Sequence, residues 1–213
     1  MHAAHPRPGL GVTEAPLSAE AQAERGQLMD AALKVMRCNG FQRASVQDIL
    51  DEAGLSTRAF YRQFRSKDDL LLAMFRTASG REVADVVRRV DEAVTPLDAV
   101  DGWLDEMLAI AYDRRRIQRL VMFNVAARQT AGYDEEVAYL RSQLVSPLRQ
   151  VLVRGADNGS FPEADPGRDA AAIFDLVWSF VSPQARREHP MDRDQARAHV
   201  LRFCLPALGV TTE

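Results

Sequence analysis

Residues 44–70 read ASVQDILDEAGLSTRAFYRQFRSKDDL. Ser45 and Asp48 stand at capping-box spacing, and Val46, Ile49, Leu50 and Ala53 then line one side of a helix barely two turns long. Gly54 breaks that run, because glycine accepts the left-handed backbone that a tight turn requires. Leu55 is placed to bury in the turn and Ser56 to cap a second short helix, whose inner side carries Phe60 and Phe64 at i, i+4 spacing. Ser66-Lys67-Asp68-Asp69 is a further capping signal that opens a longer helix carrying Leu70, Leu71, Met74 and Phe75. Two short helices joined by a Gly-Leu-Ser turn form a helix-turn-helix, the unit whose second helix enters the major groove of DNA. With Phe60 and Phe64 turned inward, Thr57, Arg58, Tyr61 and Arg62 fall on the outer face, a set suited to guanine edges and phosphates.

Outward from this segment the periodicity stays helical. Leu28, Ala31, Ala32, Val35 and Met36 recur every three to four residues before Asn39-Gly40, which predicts a preceding helix. Downstream, helices are expected from 67 to about 93, from Thr95-Pro96 to about 112, over 114–128, over 134–157 with a kink at Pro147, over 168–181 and over 193–208. The expected fold is all-α, about nine helices, with a three-helix head on a larger helical bundle. Residues 1–22, rich in Ala, Pro and Gly, read as a flexible arm, 23–68 as the head and 69–213 as the body.

Charge is consistent with that division. The 213-residue chain carries a net charge of −3, yet Glu24 to Lys67 holds eight Lys/Arg against five Asp/Glu, which leaves −6 on the remainder. The head is mildly basic and the rest acidic, the asymmetry expected when one part meets phosphate. Cys38 and Cys204 are far apart and outside any ligand spacing, so no metal or disulfide framework is expected, nor any cofactor. No Gly-rich phosphate loop, HExxH or GxSxG occurs, which removes the common enzyme signatures. No apolar run long enough to span a membrane is present, and the expected location is the cytoplasm.

Residues 25–75, and above all VQDILDEAGLSTRAFYRQFRSKDDLL at 46–71, resemble the DNA-binding head of the TetR (tetracycline repressor) family. The spacing from Gly54 through Tyr61, Phe64 and Lys67 to Leu70 fits that pattern without gaps. The resemblance implies that Thr57, Arg58, Tyr61 and Gln63 face DNA, that Gln47 and the Ser45 cap lie at the adjacent backbone, and that Lys67 meets a phosphate. The alternative role for Lys67, whose charge opposes the helix dipole, is pairing with Asp68 or Asp69. Arg58 stands where glycine is common in the family and Gln63 where a histidine is common, so base preference does not carry over.

The same resemblance places a small-molecule effector in the body and a homodimer interface on the last two helices. Trp103, Met107, Phe123, Tyr139, Phe174 and Trp178 are the expected apolar lining, with Asn124, Gln143 or Tyr133 as polar anchors, and the effector as an apolar or amphipathic compound. Ile173, Val177, Phe180, Val200, Phe203 and Cys204 are the expected dimer face. The functional expectation is a repressor released from a palindromic operator on binding its effector. The alternatives are an activator with the same head, or a helical protein-interaction module.

Overall fold

The computed structural model describes residues 18–40, 43–116, 128, 130–181 and 191–210. The described residues contain eight α-helices and no strand. The chain divides into two compact units, Met1–Leu70 and Leu71–Glu213.

The first unit holds α1 (Ala19–Asn39), α2 (Val46–Ala53), α3 (Thr57–Gln63) and the opening of α4 (Lys67–Asp91). Helix α1 starts at Ala19, inside the stretch expected to be an arm, because Ser18 caps it by accepting from the Ala21 amide at 3.2 Å. Those first residues lack a periodic apolar face, so a local cap and not packing sets the boundary. Leu28, Ala31, Ala32 and Met36 of α1 bury with Ile49 and Leu50 of α2 and with Phe60 and Phe64. Each large side chain so removed from water contributes about 1.5–3 kcal/mol. Gln27 Nε2 donates to the Ala53 carbonyl at 2.7 Å, so α1 also satisfies an end group of α2.

The second unit holds the rest of α4, with α5 (Pro96–Tyr112), α6 (Tyr133–Asp157), α7 (Pro166–Val181) and α8 (Arg193–Ala207). Helix α5 packs against α6, α7 and α8. Its Trp103, Leu104, Met107 and Leu108 meet Leu148, Val151 and Leu152 of α6 in the core. Gly155 lets the Phe161 ring lie against α6, since a Cβ there would come within 2.0 Å of that ring. Helix α6 continues through Pro147, which is buried, and α7 begins at Pro166 in place of the expected 168. At that start, Asp165 accepts from the Arg168 amide and Pro166 takes the first helical position, where its missing N–H costs nothing. The helix expected over 114–128 lies for the most part outside the described residues.

Candidate nucleic-acid interface

The turn between α2 and α3 is built as its residues require. Gly54 adopts φ 65° and ψ 29°, and the Leu50 carbonyl accepts from both the Gly54 and Leu55 amides. Ser45 closes a reciprocal capping box with Asp48: the Ser45 amide donates to Oδ2 at 2.8 Å, and the Asp48 amide donates back to the Ser45 hydroxyl at 3.1 Å. These bonds, the Ser45 amide foremost, hold the Asp48 carboxyl below the usual carboxylate range. Ser56 caps α3 by accepting from the Ala59 amide at 3.2 Å.

Helix α3 is pinned from below and open above. Phe60 and Phe64 are fully buried, with ring centroids 5.8 Å apart. Thr57, Arg58, Tyr61 and Arg62 are all exposed, and Tyr61 keeps 59% of its surface accessible. Tyr61 still packs edge-on against Phe60 at 5.3 Å, which fixes its ring while leaving the hydroxyl outside. Ser45 and Gln47 are exposed at the start of α2, and Gln47 Nε2 donates to Asp51 at 2.7 Å.

Three residues sit differently from their sequence reading. Lys67 Nζ donates to the Ala44 carbonyl at 2.9 Å, so the ammonium pins the first turn of α4 to the segment before α2. Arg62 Nη2 lies 2.5 Å from both oxygens of Glu24 on α1. Gln63 is half-buried, and its side-chain amide donates to the same carboxylate at 3.3 Å. Arg62, ahead of the desolvation that opposes it, holds Glu24 below the usual carboxylate range. The neighbouring Arg25 donates to the Gln63 carbonyl at 3.0 Å and lies over the Phe64 ring at 4.4 Å. Sequence reading missed Glu24 and Arg25 as parts of this site, because no local pattern links residues 38 positions apart.

The body residues expected to bind a ligand do not gather at one place. Trp103 and Met107 are fully buried in the core, and the Trp103 indole donates to the Leu144 carbonyl at 2.9 Å. Both are closed to solvent in this structure. Phe174 is buried and stacks on half-buried Trp178 at 5.6 Å, and Tyr133 is buried edge-on against Phe75. Tyr139 is 63% exposed and, with Gln143, lines an apolar groove of about 150 Å³ between α4 and α6 that also includes Phe75, Val83 and Leu140. Phe123 and Asn124 lie outside the described residues.

The residues expected at a dimer face fall into a buried and a more accessible set. Ile173, Val177, Val200 and Cys204 turn into the core of their own chain, where burial pushes the Cys204 thiol up to about 11. Phe180 is half-buried against that core and Phe203 is 54% exposed, with His199 between their rings at centroid distances of 5.4 and 5.0 Å. An apolar groove of about 160 Å³ runs there, lined by Ala172, Leu176, Phe203 and Ala207 and floored by Ile173 and Cys204.

Comparison with known proteins places this geometry. Residues 28–74 match the family model described as bacterial regulatory proteins, tetR family. The fatty acid metabolism regulator protein of Bacillus subtilis is 29% identical over 69 residues, 32% of this chain and 36% of that protein. The HTH-type transcriptional regulator TtgR of Pseudomonas putida is 25% identical over 76% of this chain and 80% of its own length. The fold extends to the transcriptional regulator FadR of Bacillus subtilis, crystallised with stearoyl-CoA, at TM-score 0.66 and 18% identity over 85% of this chain and 98% of that one. A capped two-helix unit with a left-handed Gly54, an outward face on α3 and a body of helices alone all agree with these matches. Over residues 28–74 the chain is thus similar to bacterial regulatory proteins of the tetR family, and its fold is shared with transcriptional regulators of known structure.

Proposed function

We propose that this chain is a ligand-responsive repressor that binds a two-half-site operator as a homodimer and leaves it when a small apolar or amphipathic molecule binds the body. The observation that carries the DNA part is the outward face of α3, where Thr57, Arg58 and Tyr61 stand free above two buried phenyl rings. Arg58 is suited to a bidentate contact with guanine, worth about 1–3 kcal/mol of discrimination, and Tyr61 to phosphate or thymine methyl. Ser45, Gln47 and Lys67 lie toward the start of α2 and α4, where backbone phosphates are the fitting partners.

For the effector, the groove between α4 and α6 with Tyr139 and Gln143 supports the reading better than the filled core around Trp103. The structural relative crystallised with stearoyl-CoA supports an amphipathic ligand class. For the dimer, exposed Phe203 of α8 and the apolar groove it shares with Leu176 of α7 support these two helices as the shared face. Ligand release then follows from differential affinity: an effector that prefers a dimer with another head spacing lowers operator affinity by that preference.

The test is selection of bound duplexes from the source genome, followed by titration of the recovered duplex against salt and candidate effectors. Arg58→Ala and Tyr61→Ala are expected to weaken that complex by at least tenfold while the protein remains dimeric. Full affinity in both variants would refute the assigned face.

A further inference from the structure

Glu24 is an acidic residue set against the cationic end of a helix that, on the proposed function, reads DNA. Its two oxygens each lie 2.5 Å from Arg62 Nη2, and one accepts from Gln63 Nε2 at 3.3 Å. Arg62 nevertheless keeps 53% of its side chain exposed, on the same outer side of α3 as Tyr61. A carboxylate held on an exposed guanidinium in this way occupies the position that a DNA phosphate would take.

We propose that Glu24 is a specificity-determining residue that acts as an internal phosphate substitute, neutralising Arg62 so that the head does not cling to DNA of arbitrary sequence. Non-specific affinity comes from cations that displace counterions from phosphates, whereas specific affinity adds contacts to base edges. Removing one cation from the first term and leaving Thr57, Arg58 and Tyr61 for the second raises the ratio of specific to non-specific binding. Gln63, held on the same carboxylate, is likewise drawn away from the base-reading set.

The end of α3 does not depend on Glu24 for its position. Arg25 separately fastens the Gln63 carbonyl and stacks on Phe64, and the two buried phenyl rings anchor the helix. Glu24→Gln therefore changes charge with little effect on packing, which a thermal melt of the full chain checks.

The experiment measures binding of the full chain to a duplex of scrambled sequence and to a duplex selected for tight binding, across salt concentration. The proteins compared are wild type, Glu24→Gln, Arg62→Gln and the double variant. Glu24→Gln is expected to bind the scrambled duplex more tightly, with a slope of log affinity on log salt steeper by about 0.9, the signature of one regained phosphate contact. That added gain falls about threefold between about 50 and about 200 mM salt. Affinity for the selected duplex is expected to rise less, so the ratio of the two falls. Arg62→Gln in the Glu24→Gln background is expected to remove the gain and return the salt slope to the wild-type value, which a merely structural glutamate would not produce. An unchanged salt slope in Glu24→Gln, or a steeper slope that survives in the double variant, overturns the proposal. The inference rests on the DNA-binding reading of the head, and the two fail differently. A wild type without salt-dependent duplex binding sinks that reading as well, whereas wild-type binding with an unchanged slope in Glu24→Gln sinks this proposal alone.

Discussion

A side chain's chemical type does not reveal which task it performs, and Trp103 and Tyr139 illustrate this. Both are large aromatics at helical spacing in the body, and both read from sequence as cavity lining. Trp103 is buried with its indole N–H bonded to the Leu144 carbonyl, while Tyr139 stands in water along the groove of α6. Trp103→Ala is expected to cost about 3–5 kcal/mol in chemical denaturation, the loss typical of an emptied aromatic site. Tyr139→Ala is expected to change stability by no more than about 0.5 kcal/mol, so any loss of effector response in that variant reads on binding. The reverse ranking would place Tyr139 in the core and return Trp103 to the effector site. Lys67 teaches the same lesson: sequence shows a cation at a helix start, but only tertiary structure supplies the Ala44 carbonyl as its partner.

At the scale of elements the sequence is far more legible, because caps and turns are local. The Ser45–Asp48 box, Gly54 and the Ser56 cap each act within a few residues, so spacing alone locates α2 and α3. The miss at the start of α1 has the same explanation in reverse: Ser18 caps a helix whose first turns bury little, and apolar periodicity was the wrong signal there. Ser56→Ala is expected to destabilise the head by about 1 kcal/mol and to weaken duplex binding through fraying of α3, followed by melts and titration together. Acid acts on the same elements with a definite sign. Glu24 and Asp48 have lowered carboxyl values in the folded chain, so their stabilising contribution is complete above the ordinary range near pH 4 and is lost as pH falls through the folded values. Melting temperature is therefore expected to drop below about pH 4, and Glu24→Gln with Asp48→Asn to flatten that drop. An equal slope in the double variant would assign the acid sensitivity to other carboxylates.

At the scale of the whole molecule, an amphipathic pattern says that a helix has an apolar side, not which neighbour covers it. Helices α7 and α8 have two such sides. Val177 and Val200 belong to the interior of one chain, whereas exposed Phe203 and the groove lined by Ile173, Leu176 and Cys204 form the set proposed to meet a second copy. Sequence merged the two because both lie at helical spacing on the same elements. Phe203 touches His199 and the Arg202 guanidinium and takes no part in the interior cluster, so replacing it leaves the fold of the chain intact. Phe203→Glu places a charge in the proposed interface, where desolvation penalises it, and sedimentation equilibrium is expected to show the mass of one chain in place of two. Because a monomer offers a single α3 to a single half-site, affinity for the selected duplex is expected to fall roughly 10²–10⁴-fold with circular dichroism unchanged. A dimer that survives Phe203→Glu at wild-type strength would move the interface to another face of the body.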